Sequence, residues 1–416
     1  MRFFADRRKF FGAIRNLAAA GVGFVSPSPL LTAAATDKHG EDYYEKLGVT
    51  KIINAAGTYT NLTASIMPPS VQAAVARAAQ HPVRLGELQR TSGEYLAKKL
   101  QCESALVTAG ASSAVTLGTA ACVMAANKCN IRAIPVDVPN LKNEVIIQKG
   151  HRYGYDHAIL CCGVRLVEVE TLADYEKAFT PRTIMAHFYN AAEQGQISRE
   201  DWIRVAHLHS VPCFNDAAAD MPPISNLWNY TKMGFDLVAF SGGKGIRGPQ
   251  NAGLLLGKKD LIAAAASNNN PNEGVGRGMK VAKEQIVGMV AAVDWLLTQT
   301  DEGMEKEFRR RAEKIAAQLK SLPTIETEIS IPEVANHVPH LYVRYNRDKL
   351  KIAPRDVMME LRKGTPSIEL NPSTGRVPGT APNIGALVVG VWMLQPGEEI
   401  IVARRLREVL DKASRA

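Results

Sequence analysis

Seven short runs of nearly unbroken apolar residues punctuate the middle of the chain, at 105–108, 144–148, 165–169, 183–188, 212–215, 237–240 and 252–256. Runs this short, bounded by Gly, Pro, Asn or Asp, predict buried strands. Between most of them lie stretches with apolar positions at helical spacing. That alternation predicts an α/β fold, a largely parallel sheet covered by helices on both faces. The last two runs flank a tight Gly/Pro loop, short enough for an antiparallel pair. Ahead of the sheet the pattern predicts a short helix at 42–48, an extended arm at 52–61, a helix capped by Ser70 and ending at Gln80, and a helix at 87–100. Behind it come long helices at 280–300 and 303–322. A smaller α+β region follows, with strands at 341–345 and 386–391 and helices at 354–362 and 398–410.

Composition adds scale. At 416 residues, 46% of them hydrophobic, the chain is long enough for two domains sharing one site. No apolar run reaches the ~18–20 residues of a membrane span. The first 36 residues stand apart: Arg7-Arg8-Lys9-Phe10-Phe11, an Ala/Gly-rich run to Val25, then Ala33-Ala34-Ala35. They resemble a twin-arginine signal peptide with a small-residue cleavage site, which predicts a periplasmic or extracytoplasmic protein without stable membrane insertion after the signal is removed. A basic amphipathic N-terminal helix lying on the fold or a membrane surface, with the protein cytoplasmic, is the competing reading. That segment carries Arg2, Arg7, Arg8, Lys9 and Arg15 against Asp6, a net of +4, so the remainder holds +5 of the chain's +9. With Arg309-Arg310-Arg311 in a Glu-rich helix, a solvated face is expected and a nucleic-acid partner is not. Six scattered cysteines show no zinc spacing, His207 and His209 fit a helix end, and no metal is expected.

Candidate chemistry gathers where the strands end. Residues 235–257, FDLVAFSGGKGIRGPQNAGLLLG, set two strand-like runs around a loop of small residues that holds Lys244. A lysine at a strand's mouth, among glycines that admit a planar ligand, suits an imine-forming amine; a solvated loop lysine is the alternative. Gly243 to Gly248 satisfies G-x-G-x-x-G, yet Pro249, Gln250 and Asn251 lead into a strand-like run where a dinucleotide site would open a helix. The P-loop pattern fails because Val238 stands where it requires glycine. Asp216 closes the run 212–215, at the same sheet edge as Lys244. Pyridoxal 5'-phosphate needs such an acid to keep its ring nitrogen protonated and such a lysine to carry its aldehyde as a Schiff base, although an Asp there can also simply cap a helix.

Thr108 to Ser113 joins a strand to a helix. Gly110 and the amides of Ala111, Ser112 and Ser113 form a candidate phosphate cup, to which Ser241 would add a hydroxyl; an ordinary capped helix is the alternative. The strand at 144–148 delivers Lys149 to Tyr155 to that edge. His151, first after the turn, is the favoured ring to stack on the cofactor, and Tyr153 or Tyr155 could replace it. Arg84, Arg90, Arg247 and Arg277 are candidates to grip a substrate carboxylate or phosphate, with Arg247 and Arg277 best placed.

Asn54-Ala-Ala-Gly57-Thr, Gly110-Ala-Ser-Ser, Asn215-Asp216-Ala-Ala and Phe240-Ser-Gly-Gly-Lys244-Gly-Ile-Arg-Gly-Pro-Gln together resemble the selenocysteine synthase-like (L-seryl-tRNA(Sec) selenium transferase-like) family of pyridoxal-phosphate enzymes, from about Tyr43 to the C-terminus. Ser65-Ile-Met-Pro-Pro and Gly278-Met-Lys-Val-Ala-Lys-Glu-Gln-Ile-Val-Gly bring the chain nearest to the branch of D-glucosaminate and D-glucosaminate 6-phosphate ammonia-lyases. The resemblance implies the fold-type-I transferase architecture. Together with the signal reading (1–36), this divides the chain into an N-terminal arm (37–69), a large cofactor domain (70–279), and linking helices with a small C-terminal domain (280–416). It also implies a homodimer or a multiple of it, with active sites at the interface, and the extended stretch Asn54 to Asn61 is placed to reach toward a neighbour.

Two features depart from the pattern. Mostly signal-like residues stand where bacterial selenocysteine synthase carries a tRNA-holding domain, and a sugar-acid lyase is normally cytoplasmic. The resulting expectation is a pyridoxal-phosphate lyase for a small molecule, a β-hydroxy amino acid or amino-sugar acid, yielding a 2-keto acid and ammonia. Lys244 would relay the Cα proton. An aminotransferase, a sulfur amino-acid β-lyase, a tRNA-dependent selenium transferase and a cofactor-bearing binding protein are the alternatives.

Overall fold

All seven apolar runs enter one sheet. In the computed structural model, which describes residues 40–190, 197–333, 335–373, 375–376 and 384–415, they form β2 (Ser104–Thr108), β3 (Glu144–Gln148), β4 (Arg165–Val169), β5 (Thr183–Tyr189), β6 (Cys213–Asp216), β7 (Leu237–Ser241) and β8 (Gly253–Gly257). Their order is β2-β8-β7-β6-β5-β3-β4, and every neighbouring pair is parallel except those made by β8. The chain needs no crossover helix between β7 and β8, so the tight loop returns antiparallel as expected. Because β8 alone is reversed, the carboxyl ends of β2, β3, β5, β6 and β7 share one edge. Helices cover both faces, and the unbroken apolar runs follow from burial on both sides: all five residues of β3 and of β8 are buried.

Residues 1–51 and 52–416 are separate units. In the first, the described part is a helical turn, Tyr43–Lys46, whose start is capped by the Asp42 carboxylate accepting the Tyr44 amide at 2.9 Å. The expected signal at 1–36 lies outside the described residues.

Several element bounds and partners differ from the sequence pattern. The supposed arm begins as β1 (Ile52–Ala55), which pairs in parallel with β11 (Ser367–Leu370) of the same chain. The helix predicted from a Ser70 cap is Pro69–Ala79, because Pro69 supplies a preset φ at its first position. The two long helices are shorter than predicted, at Lys283–Leu296 and Asp301–Leu319. Beyond them, β9 (Glu326–Ser330), β10 (His340–Asn346), β12 (Gly375–Arg376) and β13 (Ile384–Gly390) make a small antiparallel sheet in the order β12-β13-β10-β9. The helices Asp301–Leu319, Pro354–Lys363 and Glu398–Ser414 pack on its core, where Leu341, Val343, Leu387, Val389 and Leu406 are buried together with Ile53 of β1. Among the described residues, no helix is long and apolar enough to cross a membrane, and all six cysteines are free thiols.

Candidate active site

The carboxyl edge of the large sheet opens into a cavity of about 290 Å³ lined by Gly110, Ala111, Ser112, Tyr153, Tyr155, Tyr189, Asp216, Ala218, Ser241 and Lys244, among others. Its central acid, hydroxyl and amine arrive by strand ends. β6 terminates in Asp216, β7 in Ser241, and Lys244 follows three residues later. The lysine loop is clamped from outside the sheet: Ser65 Oγ donates to the Gly243 carbonyl at 2.7 Å, and Gln250 Nε2 donates to the Thr60 carbonyl at 3.0 Å.

Asp216 is 4% exposed and both its oxygens are engaged. Oδ1 accepts the Ala218 amide at 3.0 Å, and Oδ2 accepts the Tyr153 hydroxyl. Burial pushes its carboxyl above the ordinary carboxylate range, while Tyr153, the Ala218 amide and the nearby Lys244 charge pull it back. Lys244 is pushed the other way: burial lowers its ammonium, and the charges of Asp216 and Asp220 resist. An acid and an amine, each driven toward neutrality by the same enclosure, therefore share one cavity.

The helix Gly110–Asn127 starts at that cavity with no side chain capping its first amides. Ser113 is buried in the first turn, and its Oγ has no partner among the described residues. Open amides and an orphaned hydroxyl at a helix start are a donor set for an anion such as phosphate. β8 approaches closely here: a Cβ on Gly253 would stand 2.3 Å from the Gly110 carbonyl carbon, so only glycine fits.

His151 does not line the cavity. It ends a 3-10 turn, Lys149–His151, that carries its ring inward to an edge contact with Phe188 at 4.6 Å, and its Nδ1 accepts the Tyr189 amide at 3.2 Å. Burial lowers its imidazolium to about 4. Tyr153 occupies the cavity instead, stacked on Tyr189 with ring centroids 3.8 Å apart. Arg247 also points elsewhere. Its φ of 59° turns the chain, and it lines a separate cavity of about 180 Å³ with Glu307, Arg311 and Trp392. Arg277 is exposed, and Arg84 and Arg90 make surface pairs with Glu87 and Glu94.

Sequence reasoning missed Tyr189, one residue past the predicted end of its strand, and Asp220. The latter is a second buried acid in an otherwise apolar turn, and that isolation was its only signal. At the opposite sheet edge, His207 Nε2, Cys213 Sγ and Asp236 form a group of metal-ligand type. Asp236 Oδ2 already serves His207 at 2.9 Å and the Cys213 amide at 2.8 Å, fastening a helix end to β6.

Against known proteins, residues 52–339 match the sequence model of L-seryl-tRNA selenium transferase. D-glucosaminate-6-phosphate ammonia lyase of Salmonella typhimurium is 28% identical over 388 residues, spanning 89% of this chain and 98% of that protein. A solved structure of D-glucosaminate-6-phosphate ammonia-lyase has a TM-score of 0.76 at 27% identity, covering 90% of this chain and 100% of that one. Serine palmitoyltransferase of Sphingomonas wittichii shares the fold at a TM-score of 0.53 and 12% identity, over 88% of each chain. The architecture is that of fold-type-I enzymes dependent on pyridoxal phosphate, several of whose solved structures carry it.

Proposed function

The chain belongs to the L-seryl-tRNA selenium transferase family, and from that premise we propose that it is a pyridoxal-phosphate-dependent lyase. Its substrate would be a β-hydroxy amino acid or amino-sugar acid, converted to a 2-keto acid with release of ammonia. The observation that carries this reading is the pairing of buried Asp216 with Lys244 on one cavity headed by an open helix start. Near-full-length similarity to an ammonia lyase supports the reaction type.

The residues present fit the cofactor. The amides at 110–113, with the Ser113 and Ser241 hydroxyls, would hold its phosphate, Asp216 its ring nitrogen, and Tyr153 one face of its ring. When bound, pyridoxal phosphate supplies an aldehyde for the substrate amine and a ring that delocalises charge from Cα. Lys244 does the proton work. Its buried amine, with a lowered pKa, takes the Cα proton and returns it as the β-hydroxyl leaves as water; water re-enters as ammonia departs.

A panel of amino acids and amino-sugar acids, scored for ammonia and 2-keto acid, tests the reading. No ammonia from any β-hydroxylated substrate would overturn it. The family's name favours a second reading, selenium transfer on seryl-tRNA, which predicts tRNA binding that weakens steeply with salt. We also propose a symmetric dimer or a multiple of it, tested by sedimentation, and twin-arginine export, supported by Arg7-Arg8 and the Ala33–Ala35 triplet in the sequence.

A further inference from the structure

Asp220 is a buried carboxylate that the proposed chemistry does not use. It stands four residues beyond Asp216, is 4% exposed, and donates its amide to the Ala217 carbonyl at 3.1 Å. Its Oδ2 accepts from the Asn190 side-chain amide and, at 3.3 Å, from the Tyr230 hydroxyl. Its Oδ1 has no partner among the described residues. The surroundings are firmly held. Arg199 Nε donates to Asn190 Oδ1 at 2.5 Å, the Arg199 guanidinium lies 5.8 Å from the Tyr230 ring, and the Asn190 backbone amide donates to the Asp216 carbonyl at 3.0 Å. A buried acceptor open on one side is costly unless a donor or positive charge faces it.

Besides Arg199, the cation whose field involves Asp220 is Lys244. A Cβ on Gly245 would stand 2.1 Å from the Met221 carbonyl oxygen, so the backbone beside Lys244 lies against the backbone beside Asp220. Ala218 and Ala219, the link between the two acids, line the lysine's cavity. Asp216 is already committed, with Tyr153 on one oxygen and Ala218 on the other.

We propose that Asp220 is a positioning residue for Lys244, its open Oδ1 supplying the negative charge that favours the protonated state of Nζ. This rests on Lys244 being the reacting amine proposed above. When the substrate C–H bond breaks, its proton forms an N–H bond on the Nζ lone pair, and the ammonium so formed has Asp220 as counter-ion until it gives the proton up. The charged and titratable groups facing Asp220 are Asp216, Tyr189, Arg199, Tyr230 and Lys244. Burial, reinforced by Asp216, pushes Asp220 up to about 6, so it is an anion at higher pH and opposes the effect of burial on the lysine.

Asp220→Asn removes the charge and keeps the shape. In full-length protein carrying its cofactor, the pH at which the visible absorption of the lysine-bound group changes should fall by at least about half a unit, or threefold in proton affinity. Full-length protein isolated without cofactor gives a separate readout: Lys244 labelling by acetic anhydride, followed by peptide mass spectrometry, should show the same downward shift. Asp220→Glu should restore the parent midpoint, and Asp220→Ser replaces the Asn variant if that fails to fold. A midpoint that is unchanged or higher in a folded, uncharged variant overturns the proposal. Absence of a lysine-bound cofactor would instead overturn the proposed function, while the labelling arm still decides the role of Asp220.

Discussion

The Tyr153 hydroxyl donates to Oδ2 of Asp216 across the intervening strand β5, whose Tyr189 lies flat beneath Tyr153. The bond favours the charged carboxylate, lowering an acid that burial raises. Tyr153→Phe should therefore keep the fold but weaken cofactor binding about 10-fold or more, the scale of a hydrogen bond to a charged group. Titration of cofactor absorbance measures this, and unchanged affinity would show that the hydroxyl does not serve Asp216.

Lys244→Ala should abolish the covalent link and lower turnover by at least about 10³-fold, because the amine is asked to act both as anchor and as base. Borohydride treatment of the parent should leave the cofactor's mass on the peptide that contains Lys244. Mass on another lysine would remove Lys244 from both roles.

Acid sensitivity has a definite sign. The Asp220 carboxyl is raised from 3.8 to about 6 by burial. A group raised in this way contributes stability in full below its unfolded value, and that contribution is lost as pH rises through about 6. Asp220→Asn should thus be more stable than the parent at pH 7.5, on the order of 3 kcal/mol without cofactor, with the gap closing below pH 3.8. Denaturant midpoints at the two pH values test this, and a gap that widened toward acid would contradict it.

Gly253→Ala would force a methyl group to 2.3 Å from the Gly110 carbonyl carbon. Overpacking of this kind costs about 1–3 kcal/mol, and the strain falls on the first turn of the helix proposed to hold phosphate. Lower thermal stability together with weaker cofactor binding is expected. A loss of stability with unaltered affinity would detach that helix start from the cofactor.

Export should require the arginine pair. Arg7→Lys with Arg8→Lys should leave active protein inside the cell, since the proposed chemistry uses neither residue. In the parent, N-terminal sequencing of exported protein should begin near Thr36, and an intact Met1 there would rule out cleavage.

The strands were legible because burial on both faces demands continuous apolar runs, and Lys244 and Asp216 because they stand at strand ends. His151 was misjudged because a 3-10 turn, not extended chain, follows β3. Arg247 was misjudged because its left-handed backbone redirects the side chain. Neither turn has a residue pattern that announces it. The Asn190–Asp220–Tyr230–Arg199 group was illegible for another reason: its members lie in two loops and on two helices and meet only after the sheet has formed. The strands β9, β11 and β12 were likewise too short or too polar to stand out from loops.

The pairing of β1 with β11 also bears on the order in which the protein can be made. Asn371 and Ala56, which close this pairing with a hydrogen bond, are 315 residues apart. At about 5–20 residues per second, β1 waits roughly 15–60 s on the ribosome before its partner exists. Ile53 has no core to enter during that interval, and the nascent chain carries an unmatched strand edge. Completion of the core that Ile53 shares with β11 is therefore a late event, and a chain stopped short of residue 370 leaves β1 without its partner.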